Sequence, residues 1–168
     1  MRHFEEYIRQ GEPRKLEKSY AWQTAIGLQE VDGLKPSEYL IQTAYRHIEG
    51  DITIEEAKKL IESYYQSKLI RNDETDRIEE ADKVSARITE ILSEQTFSFS
   101  PVEYINIHKR LFDGIYNHAG QLRSYNITKK EWVLNGETIL YASADNIRDT
   151  LDYDFSQEMP WSVPTTTI

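Results

Sequence analysis

The chain has 168 residues, with 20 Lys and Arg against 29 Asp and Glu, a formal net charge of −9. A polyanion is repelled on average, so nucleic acid is not an expected partner, and the absence of cysteine excludes a disulfide framework and thiolate metal or nucleophile chemistry. Met1 is followed by charged residues and no run of about 18 apolar residues occurs, so a cytoplasmic chain with neither export signal nor membrane span is expected.

Hydrophobic residues make up only 39%, but eleven Tyr, five Phe and three Trp can each bury a large area, which makes a modest core feasible. The first helical signal runs between Arg14 and Val31, where Leu16, Tyr20, Ala21, Trp22, Ala25, Ile26 and Leu28 recur at helical spacing and Asp32-Gly33 supplies a left-handed stop. Pro36 opens the next run, whose stripe of Tyr39, Leu40, Ala44 and Ile48 is closed by Gly50. Thr53 and Glu56 then form a capping box ahead of Ala57, Leu60, Ile61, Tyr64 and Tyr65. Three amphipathic helices in tandem make a small bundle.

From Asn72 to Asp82 six acids face one base, Arg77, ahead of the stripe Ile78, Ala81, Val84, Ile88, Ile91 and Leu92. The acids suit the first turn of a longer helix and read as a solvated face or linker rather than an acidic docking patch. A module boundary is therefore expected near residues 67–76. Ser100-Pro101-Val102-Glu103 supplies N-cap, N1 proline and N3 glutamate for a helix expected to bury Val102, Ile105, His108 or Ile107, Leu111, Phe112 and Ile115 and to end near Asn117. Asn135-Gly136 between two β-prone runs predicts a hairpin with a two-residue turn, and Ser143 can cap a last helix through Ile147, Leu151 and Phe155. Residues 159–168 carry two prolines, three threonines and no charge, and read as an irregular tail.

No Gly-rich phosphate loop, nucleophile elbow or metalloprotease motif is present, and the histidines at 3, 47, 108 and 118 show no metal-binding spacing. His108 lies beside an apolar stripe, where a hydrogen-bonded core histidine is the simpler reading than a base. Neither catalytic nor metal-ligating residues are assigned.

The order Ile107-His108-Lys-Arg-Leu111-Phe112, Ala119-Gly120-Gln-Leu-Arg123, Ile127-Thr-Lys129, hairpin and Ile147/Leu151 helix resembles the first half of a Fic domain. The first 65 residues resemble the small VbhA-type antitoxin module that some Fic proteins carry, with Ile48-Glu-Gly-Asp-Ile52-Thr at a helix junction. The resemblance implies a mostly α protein: an antitoxin-like module over 1–70, a connecting helix over 71–99, and the N-terminal half of a Fic-like domain over 100–158. The second part would be an incomplete Fic helical core with one β-hairpin flap. His108, Phe112, Gly120 and Arg123 would be family core positions, and Lys129, Lys130, Glu131, Trp132, Val133 and Leu134 a flap that docks a target protein by strand addition; an ordinary packed hairpin anchored by Trp132 and Tyr141 is the alternative. Fic enzymes transfer AMP from ATP, with Mg²⁺, to a target hydroxyl through an H-x-F-x-x-G-N-G-R loop. This sequence has no Gly-Asn pair, and His108 to Gly114 has the wrong spacing, so neither ATP nor Mg²⁺ is expected to bind tightly. The chain reads as a truncated or frameshifted member of that family.

Fic antitoxin helices carry (S/T)-x-x-x-E-(G/N), for which this chain offers Leu28, Asp32 and Gly33, with a shorter acid and no hydroxyl; Glu30 is a second candidate acid, and a plain helix stop is the alternative. The implied function is protein AMPylation restrained by the N-terminal module, with no activity in this chain alone. The rival reading is a non-enzymatic antitoxin or regulatory module acting on an intact Fic protein. Partly exposed apolar faces on the incomplete core also make self-association an expectation.

Overall fold

The computed structural model describes residues 3–68, 72–130, 138–139 and 141–158, and is mostly helical. The chain divides into two units, Met1–Thr96 and Phe97–Ile168.

The first unit holds five helices: α1 (Glu5–Gln10), α2 (Pro13–Val31), α3 (Glu38–Glu49), α4 (Ile54–Gln66) and α5 (Asp73–Leu92). Their ends follow local chemistry. Pro13 opens α2 at a position that needs no N–H donor. The Ser37 hydroxyl accepts from Leu40 N–H at the start of α3, Thr53 and Glu56 cap each other's backbone at α4, and Asn72 Oδ1 accepts from Thr75 N–H at α5. At the end of α2, Leu34 N–H reaches Gln29 O and Gly33 N–H reaches Glu30 O, a double closure that needs Gly33 at φ +72°.

Trp22, Ile26, Leu40, Ile48, Ile61 and Tyr65 are each at most 3% exposed and form the centre of the core. Tyr20 and Leu28, expected on the inner stripe of α2, lie about half exposed on its outer face instead. Helix α1 is an addition to the sequence reading. It is only six residues long, below the length at which periodicity registers, yet Phe4 is fully buried and Tyr7 nearly so. The Tyr45 hydroxyl donates to His3 O at 2.5 Å, and the Tyr7 hydroxyl to Glu49 Oε1 at 2.5 Å, while Lys15 Nζ donates to Glu49 Oε2 at 2.8 Å.

Helix α5 corrects the expected organisation. Rather than connecting two modules, it packs against α2 and α4 inside the first unit. The physical reason is Asp82, read from sequence as part of a solvated acidic run but fully buried. Its carboxylate accepts from Ser37 N–H (2.8 Å), Ser37 Oγ (2.5 Å) and the Tyr65 hydroxyl (2.7 Å), tying α5 to the start of α3 and the end of α4. Burial raises the Asp82 carboxyl above its ordinary value, opposed by those donors.

The second unit contains α6 (Pro101–Phe112), β1 (Lys129–Lys130), β2 (Thr138–Ile139), a 3₁₀ turn at Ala144–Asn146 and α7 (Ile147–Glu158). Helix α6 starts as expected, with the Ser100 hydroxyl accepting from Glu103 N–H at 3.2 Å. It ends earlier than expected because Asp113 leaves the helical region and Gly114 takes φ +71°. Val102, expected inside, is 68% exposed, and no described residue of 97–157 whose side chain is placed is buried. The apolar contacts it does make are modest: Phe99 and Tyr104 both meet the Phe155 ring, at centroid distances of 4.5 and 6.0 Å.

The expected hairpin is seen only as a two-residue antiparallel pairing, Lys129 with Ile139 and Lys130 with Thr138. An unbroken two-residue turn at Asn135-Gly136 would instead pair Lys129 with Ala142, so the extended flap is not reproduced; the turn itself, and residues 159–168, lie outside the described residues. No helix among the described residues is long and apolar enough to cross a membrane.

Candidate functional site

Three of the residues singled out in the second half of the sequence, His108, Phe112 and Gly120, are brought together by the turns that follow α6. After α6 ends, a series of tight turns runs from Asp113 to Gly120, closed by Ile115 N–H to Phe112 O, Ala119 N–H to Tyr116 O and Gln121 N–H to His118 O. This returns the chain to α6, where Gly120 N–H donates to His108 Nδ1 at 2.9 Å. Through Nδ1, His108 serves as a structural acceptor that ties α6 to the turn. The Phe112 ring stands 5.1 Å and the His118 ring 6.1 Å from the His108 ring, and Tyr116 joins the two, 5.4 Å from Phe112 and stacked on His118 at 5.2 Å.

Glycine is required at position 120 on two counts. Its φ is +71°, and a Cβ built there would stand 2.6 Å from Lys109 Cβ, an atom close to the helix backbone that cannot swing away. Gly120→Ala is expected to cost about 2 to 4 kcal/mol, from left-handed strain together with overpacking. The measurement is the rate of limited proteolysis within residues 97–158, expected to rise at least tenfold; an unchanged rate would contradict the requirement for glycine at this position.

Arg123 carries the second connection. One guanidinium nitrogen donates to Tyr125 O at 2.8 Å and the other to Ala142 O, which lies just beyond β2. Asn126 Oδ1 accepts from Ala144 N–H at 2.8 Å, so two side chains bolt the segment before β1 to the segment after β2. The expected cap by Ser143 is replaced by this bond, since Ser143 makes no side-chain cap. Sequence reasoning did not single out Asn126: it acts across 18 residues, and no local spacing carries that signal.

The flap positions divide. Lys129 and Lys130 lie in β1, while Glu131, Trp132, Val133 and Leu134 fall outside the described residues. Leu28, Asp32 and Gly33 belong to the first unit, where Leu28 is 50% exposed and Asp32-Gly33 forms the α2 stop. Among the described residues no group of three His, Asp or Glu side chains is placed to hold a metal ion. No protein-family model matches the chain, and no curated protein or solved structure matches it.

Proposed function

We propose that residues 100–158 are the target-docking half of a Fic-type AMP-transferring protein, and that the N-terminal helices are its antitoxin-like regulatory module. The observation that supports this reading is the His108–Gly120 hydrogen bond, because it joins the I-H-x-x-L-F helix to the A-G-x-x-R turn, the two motifs on which the resemblance rests. Arg123, the last residue of that turn motif, braces the base of the segment that would carry the flap. A target strand would add to that flap through backbone N–H and C=O groups.

The residues that would cradle a triphosphate and hold Mg²⁺ in that family do not fit this chain, since its sequence has no Gly-Asn-Gly-Arg loop. No transfer step is therefore assigned to it. A second reading, a regulatory module that binds an intact Fic protein, is favoured by one observation: none of the described side chains of the second unit is buried, which leaves apolar side chains for a partner to cover.

Labelled ATP and Mg²⁺ test both readings. The purified chain alone is expected to transfer no label, and addition of a separate polypeptide bearing the H-x-F-x-x-G-N-G-R loop and its following helices is expected to restore transfer to a target. Transfer by the chain alone, or a complement that neither binds it nor gains activity, would overturn the proposal.

A further inference from the structure

The first unit is built in two layers of unequal character. Its core cluster has eleven buried members, of which ten come from α1 to α4 and the segment entering α1, and only Ala86 from α5. The buried residues of α5 are otherwise small or polar: Ala81, Asp82, Val84, Ser85 and Thr89. Small side chains let α5 lie close to its neighbours, but each removes little apolar area from water. Among the described residues, Ser85 Oγ is a buried side-chain oxygen without a hydrogen-bond partner. The α4–α5 seam is also imperfectly filled, with a cleft of about 220 Å³ lined by Lys58, Glu62, Lys83 and Arg87. Across it run two ion pairs, Lys58–Glu90 at 2.6 Å and Lys83–Glu62 at 3.0 Å, both at least partly open to solvent.

We propose that α5 is a separately opening helix, latched onto a self-supporting α1–α4 core by the Asp82 carboxylate and the two seam ion pairs. The latch is directional: Asp82 holds the Ser37 amide and hydroxyl and the Tyr65 hydroxyl together, so one side chain secures two neighbouring elements at once. Opening breaks these charged and polar contacts together with the apolar contacts of Ile78, Ala81, Val84 and Ala86, while the cluster members from α1 to α4 keep one another's company and water can solvate the freed polar groups. The first unit thus has two states, closed and α5-released. The ion pairs make the balance sensitive to salt, because exposed pairs weaken as ionic strength rises.

Amide hydrogen exchange on the full chain, followed over a series of urea concentrations below unfolding, tests this. Amides in the middle of α5 are expected to exchange at least tenfold faster than those in the middle of α2 and α3, with a weaker dependence on urea, and faster still at high salt. Ser85→Ala, which removes the unpaired hydroxyl, is expected to slow exchange in α5 several-fold and leave α2 and α3 unchanged. Asp82→Asn is expected to do the reverse, raising α5 exchange at least tenfold. If α5 shares the protection and the urea dependence of α2 and α3 in all of these proteins, the helix opens only with the whole unit and the proposal fails. Should Asp82→Asn not fold, the wild-type and Ser85→Ala profiles decide the matter.

Discussion

Trp22→Ala is expected to remove about 3 to 5 kcal/mol of stability, the largest effect of any single truncation in the first unit. The indole is fully buried in the cluster that also holds Ile26, Leu40 and Ile48, so its loss leaves a cavity that helix ends fixed by caps cannot easily collapse into. Its Nε1–H donates to His47 Nδ1 at 3.0 Å, and the rings meet edge to face at 6.1 Å. Truncation therefore also strands a buried imidazole acceptor, which adds to the cavity term. Typical net stability is only about 5 to 15 kcal/mol, so the variant should unfold at much lower urea, read from the midpoint of the helical circular-dichroism transition. A loss of under about 1 kcal/mol would show that Trp22 is not central to the core.

The second large effect is a dependence on pH carried by His47. Burial, with Lys18 nearby, depresses its imidazole pKa from 6.5 to about 4. The unfolded chain therefore binds a proton between these values that the folded chain does not, and stability falls as pH drops through that window. The loss amounts to about 3 kcal/mol by pH 4 relative to pH 7, and is complete once both states are protonated. Asp82 acts in the opposite sense: its carboxyl is raised by burial, so the folded state is relatively favoured as that group takes up its proton. The two are separated by His47→Asn, whose amide oxygen can still accept from Trp22 but does not titrate. The variant is expected to lose about 3 kcal/mol less than the natural chain between pH 7 and pH 4, measured by urea unfolding at each pH. Parallel pH profiles for the two proteins would exclude His47 as the source.

These two effects bear on how much the sequence disclosed. The caps at Thr53 and Ser100 and the stops at Gly33 and Gly50 were legible because each is a matter of three or four adjacent residues. Asp82 was not, because its burial depends on Ser37 and Tyr65, 45 and 17 residues away. A charged residue on the same helical row as Ile78, Ser85 and Thr89 was the available signal, and the neighbouring acids concealed it. The same limit applies to the candidate site. His108 was legible as a hydrogen-bonded histidine but was read as a core residue, whereas it is half-buried, and its donor, the Gly120 amide, becomes visible only once the turns after Asp113 bring the chain back. The expected burial along α6 failed for a different reason: amphipathic spacing marks which face wants cover, and does not state that the cover lies among the residues at hand.

The reading that residues 97–158 form a module which needs further partners for its apolar faces is tested most directly by a hydrogen-exchange profile of the full chain, alone and with a polypeptide bearing the H-x-F-x-x-G-N-G-R loop. Alone, amides of α6 and α7 are expected to be weakly protected while those of α2 to α4 are strongly protected, and the complement is expected to raise protection in α6 and α7 selectively. Uniformly strong protection from Pro101 to Phe155 in a monodisperse monomer, unchanged by the complement, would contradict it.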